Sequence, residues 1–144
     1  MSSTVSVTRQ RRPILLTGSL VEDAPVVRQI LGEPGFSGRE VRSVAVSEAL
    51  TYLQHSAAER PDIILLAVGG PNGDELSTLK DIKEDVQLRT IPVIVLGPPR
   101  DAQMVDRSFR LGAAGYMGRS ADPHEFAAMI RAVGRYWSLS ELPM

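Results

Sequence analysis

Five short runs of apolar and β-branched residues divide this chain at wide, fairly even spacing. They are Ile14-Leu15-Leu16-Thr17, Val41 to Val46, Ile63 to Ala67, Val93-Ile94-Val95-Leu96 and Gly112 to Met117. Most are nearly continuous in their apolar character, as in strands buried on both faces. The segments between them carry apolar residues at helical spacing instead. Val26, Val27, Ile30 and Leu31 follow Glu22-Asp23 and Pro25, favourable residues for starting a helix. Ser47 is placed to cap a helix bearing Ala49, Leu50 and Leu53. Asp74 is placed to cap one bearing Leu76, Leu79, Ile82 and Val86. A helix over 101–111 carries Met104, Val105, Phe109 and Leu111, and one starting at Asp122-Pro123 carries Phe126, Met129, Ile130, Val133 and Trp137. Strands alternating with amphipathic helices predict an α/β domain with a doubly wound parallel sheet covered on both faces.

Composition narrows the function. The chain has 144 residues, 43% of them hydrophobic, enough for one core. Sixteen Lys and Arg stand against 17 Asp and Glu, for a net charge of −1, which gives no electrostatic basis for nucleic-acid or membrane binding. The absence of cysteine excludes disulfides, thiolate metal sites and cysteine nucleophiles. Residues 1–12 are expected to be a disordered leader, residues 13–137 the domain and residues 138–144 a tail. No signal peptide or membrane-spanning run is visible, so a cytoplasmic location is expected.

In such sheets, ligands gather at the carboxyl ends of the strands. The residues expected there are Gly18, Ser19, Ala67, Gly97 and Arg119. Their order and surroundings resemble the receiver domains of two-component response regulators, the CheY-like domains of flavodoxin type. ILLTGSLVEDAPVVRQIL is similar to a receiver opening, PDIILLAVGGPNGDEL to the segment around a phosphoacceptor, and IPVIVLGPP and LGAAGYMGRSADPHEF to the two segments that complete the site. IKEDVQLRTIPVIVL and RAVGRYWSLSELP are further similar to phytochrome-associated single-domain regulators.

The resemblance implies a five-stranded sheet of order 2-1-3-4-5 and a phosphorelay switch. In that family an Asp ending the third strand takes a phosphoryl group from a histidine kinase. An acidic pair after the first strand helps hold Mg²⁺, a hydroxyl after the fourth strand bonds the phosphoryl oxygens, and a Lys after the fifth pairs with them. This chain departs at each position. Ala67 replaces the nucleophile, and a methyl has no lone pair to attack phosphorus. Gly18 and Ser19 replace the acidic pair, Gly97 lacks the hydroxyl, and Arg119 replaces the Lys with a bulkier planar fork. Tyr116 matches an aromatic position that moves on activation in the family. Val21-Glu22-Asp23 offers a second register for the acidic pair, with Asp23 as a metal ligand and a first helix of about two turns. The register with Ile14–Thr17 as the strand is preferred.

The expectation is a stand-alone pseudo-receiver with no cofactor, metal or enzymatic activity, working through a protein partner such as a histidine kinase or a downstream signalling protein. Two rivals are a phosphorelay receiver with another acceptor, Asp23 or Asp74, and a sensor in which Arg119, near Gly97 and Arg100, holds a small anion or nucleotide. His55 and His124 are too far apart in sequence and too exposed in pattern to suggest a metal site. Gly69-Gly70-Pro71-Asn72-Gly73 lacks the spacing and lysine of a phosphate loop. A homodimer is expected through the surface that receivers commonly use. Its candidate residues are Met104 and Phe109 on the fourth helix, Tyr116 on the fifth strand, Met129, Tyr136 and Trp137 on the last helix, and Leu142 beyond it.

Overall fold

The structure, a computed structural model, describes residues 12–19, 24–33, 40–55, 60–69 and 73–139. Side chains in the last helix are described as far as Tyr136. Among these residues ten elements alternate: β1 (Ile14–Gly18), α1 (Ala24–Leu31), β2 (Val41–Val44), α2 (Val46–His55), β3 (Ile63–Ala67), α3 (Leu76–Glu84), β4 (Val93–Gly97), α4 (Ala102–Arg110), β5 (Gly115–Gly118) and α5 (Pro123–Leu139). The five strands form one sheet of order β2-β1-β3-β4-β5, with every pair parallel.

Alternation along the central strands splits the core in two. Ile14, Leu16, Ile63, Leu65, Ile94 and Leu96 pack beneath α1 and α5. Leu15, Ile64, Leu66, Val93 and Val95 pack beneath α2, α3 and α4. Burial on both faces is why these runs read as continuously apolar. Thr17 is the polar exception; fully buried, its hydroxyl donates to the Val44 carbonyl at 2.8 Å. Glu33 and Arg131 join the end of α1 to α5 through two parallel hydrogen bonds of 2.9 and 3.1 Å.

Several boundaries differ from the sequence reading. β2 stops at Val44 rather than Val46, and Ser47 lies inside α2 instead of capping it. The helix already winds from Ala45, whose carbonyl accepts the Glu48 N–H at 2.9 Å. Asp74 does not cap α3. The cap position is Glu75, in helical conformation and with no side-chain cap bond, and the Leu76 N–H returns to the Gly73 carbonyl. Val86 leaves the expected stripe because the Asp85 carboxylate accepts the N–H groups of Gln87 and Leu88 and turns the chain. Val86 is 72% exposed and Leu88 is buried in its place. β5 begins at Gly115, since Gly112 and Ala113 close the end of α4 by donating to the Phe109 and Ser108 carbonyls. The expected leader lies outside the described residues apart from Arg12. The expected helix start at Glu22-Asp23 lies outside them as well, and so does the tail beyond Leu139.

Candidate functional site at the carboxyl rim

Parallel register brings the strand ends into one row. Gly18 is level with Ala67, Ala67 with Leu96, and Gly97 with Gly118. The rim therefore ends in a glycine, an alanine and two further glycines. Gly18, Ser19, Ala67 and Gly97 come together as the sequence suggested, and what they present is a hydrogen, a hydroxyl, a methyl and a hydrogen. Ala67 is 1% exposed, and its methyl belongs to the apolar cluster under α1 and α5. Among the described residues no group of three or more His, Cys, Asp or Glu is placed to hold a metal ion.

Gly97 is covered by Tyr116. The phenol oxygen donates to the Pro98 carbonyl at 2.7 Å, so the ring lies across the start of the β4–α4 connection. Burial and the negative charge of Asp101 push this phenol above its ordinary range. Two further contacts tie the same connection to β5. The Arg119 N–H donates to the Gly97 carbonyl at 2.8 Å, and Gly118 lies against Pro99. Arg100 adopts a left-handed φ of 61°, turning the chain towards Asp101, which caps α4 by accepting the Met104 N–H at 3.0 Å. Neither Pro98 as acceptor nor the seat of Tyr116 on Gly97 was visible in sequence, because both arise from the pairing of β4 with β5.

Arg119 projects towards α5. Its guanidinium carbon lies 5.0 Å from the centre of the Phe126 ring, a cation–π distance. Asp122 accepts the His124 N–H at 2.8 Å at the start of α5. Asp74 lines a shallow groove between α3 and α4 with Ser77, Lys80 and Arg107. Asp23 lies outside the described residues. His55 contacts the Thr51 carbonyl within its own helix.

The expected dimer face divides. Phe109 and Tyr136 are exposed, at 49% and 63%. Met104 is not available to a partner. It is 3% exposed because α4 turns Met104 and Ser108 onto the sheet, and its sulfur sits close to Gly73. Met129 is half-buried against the α1/α5 cluster and Tyr116 is half-buried over Gly97. The side chain of Trp137 and all of Leu142 lie outside the described residues.

A five-stranded parallel sheet of this order, with its candidate site at the carboxyl rim, is the flavodoxin-like fold, and within it this chain is strongly similar in structure and sequence to the CheY-like receiver domains of two-component response regulators. The phosphorylated cyanobacterial phytochrome response regulator RcpA superposes with a TM-score of 0.82 at 28% identity, over 94% of this chain and all of RcpA. Response regulator Rcp1 of Synechocystis sp. (strain PCC 6803) is 25% identical over 128 residues, covering 86% of this chain and 87% of Rcp1. The DNA-binding transcriptional regulator NtrC of Proteus hauseri is 31% identical over 118 residues, 81% of this chain but 24% of NtrC. The chain spans about half the length of other transcriptional regulators it matches. No protein-family model matches it.

Proposed function

We propose that this receiver domain signals by protein contact without taking up a phosphoryl group. The observation that carries the reading is Ala67, a buried methyl at the strand end where receivers carry their nucleophile. The chemistry needs a carboxylate oxygen to attack phosphorus and hard oxygen donors to hold Mg²⁺. Glycine, serine and alanine at 18, 19 and 67 supply one hydroxyl and no carboxylate, so the residues do not fit the metal. With this chemistry missing, a protein partner is recognised by the surface itself.

The surface we assign to that role is formed by α4, β5 and α5, where Phe109 and Tyr136 stand exposed on ordered helices. The β4–α4 connection beneath it is tied down by Tyr116, Gly118 and Arg119, which favours a face held in one arrangement. A second copy of this chain is the partner assigned first, by twofold pairing.

Intact-mass measurement after incubation with a small-molecule phosphoryl donor and Mg²⁺ tests the reading. An unchanged mass is expected, and a gain of one phosphoryl group would contradict it.

A further inference from the structure

β1 leaves the sheet through Gly18 at a φ of 100°, beside its register partner Ala67. A Cβ on Gly18 would stand 2.1 Å from the Ala67 carbonyl oxygen and 2.8 Å from the Ala67 nitrogen. Both are backbone atoms of a central strand and cannot swing aside. Ser19 completes the crossing, its N–H donating to the same carbonyl at 3.0 Å. Its side chain then lies across Gly69, where an added Cβ would meet the Ser19 Oγ at 2.7 Å and the Ser19 Cβ at 2.9 Å.

From this geometry we infer that the exit of β1 is a wedge that fills the gap between the ends of β1 and β3, so that a divalent cation has no seat there even when carboxylates are supplied. The inference rests on the reading proposed above and extends it from missing donors to missing space. Mg²⁺ demands near-octahedral oxygen ligands and gives up its waters reluctantly. A side chain at 18 would begin where the Ala67 carbonyl already lies. A side chain at 19 is held over Gly69. A carboxylate at 67 would enter an apolar cluster, where its charge is strongly disfavoured. The wedge also holds Ser19, after β1, against Gly69, after β3.

Steric coupling between residues 19 and 69 provides a test independent of metal binding. Gly69→Ala is expected to lower the melting temperature by several degrees, and Ser19→Gly in the same chain to recover most of that loss. Gly18→Ala is expected to lower it further than Gly69→Ala or to prevent folding. In Ser19→Asp/Ala67→Asp, amide NMR shifts are expected to show no saturable response to millimolar Mg²⁺. Saturable Mg²⁺ binding by that variant would overturn the wedge, as would a Gly69→Ala loss that Ser19→Gly leaves unchanged. If the double-carboxylate variant does not fold, the 19/69 pair decides. Phosphoryl uptake by the unaltered protein at a carboxylate elsewhere would defeat the proposed function and leave the wedge standing.

Discussion

The Tyr116 ring occupies the space that a side chain on Gly97 would need. A Cβ built on Gly97 would lie 2.5 Å from the phenol oxygen and 3.0 Å from the ring carbon that bears it. The two residues are therefore one unit: either 97 has a side chain or the ring is in. Gly97→Thr is expected to expel the ring and break its bond to the Pro98 carbonyl, at a cost of about 1 kcal/mol. Tyr116 ring resonances and α4 amide shifts report it. Unmoved ring shifts in the variant would contradict the account.

The buried phenol gives a second prediction. Its raised value means that the folded protein holds this proton to higher pH than the unfolded chain does. Its contribution to stability is therefore complete below the ordinary tyrosine value near 10 and is lost as pH rises through the raised one. In a tyrosinate absorbance titration, Tyr116→Phe should remove a late-ionising step. A late step that survives in Tyr116→Phe belongs to another tyrosine.

Glu33 and Arg131 predict an effect at the acid end. Hydrogen bonding to Arg131 holds the Glu33 carboxyl below its ordinary value, with burial opposing and the Arg131 charge assisting. A depressed carboxyl contributes stability above the unfolded value and loses it as pH falls through the folded one. Both side chains are partly exposed, at 38% and 43%, so the effect is small and weakened by salt. Arg131→Gln should melt lower than the parent near neutral pH, with the gap narrowing on acidification below about pH 4. A gap independent of pH would assign the loss to packing of the arginine stem.

Self-association is open to measurement at Phe109 and Tyr136. Sedimentation should show a concentration-dependent dimer that Phe109→Glu weakens, with Tyr136→Glu adding to the loss. Melting of the monomer should change little, because each side chain is about half or more exposed. A chain monomeric throughout would remove the second copy as partner.

What the sequence revealed depended on how local each cause is. The apolar runs at Ile14, Ile63 and Val93 announced the sheet because burial on both faces marks every residue of a central strand. Met104 and Phe109 looked alike by spacing, yet only Met104 meets the sheet, and the other inward position on α4 is Ser108, whose hydroxyl is satisfied by the Met104 carbonyl at 2.7 Å. Gly18, Ser19, Ala67 and Gly97 were identified as the rim from position alone. Their mutual exclusion of side chains was hidden, since the atoms that block Gly18 belong to β3 and those that block Gly97 belong to β5.

The most direct measurement of the central claim is an amide NMR spectrum of the unaltered protein with and without Mg²⁺ and beryllium fluoride, which mimics a bound phosphoryl group. The account predicts no clustered shifts at Gly18, Ala67, Gly97 or Arg119. Saturable shifts at those residues would show a working phosphoryl pocket and contradict it.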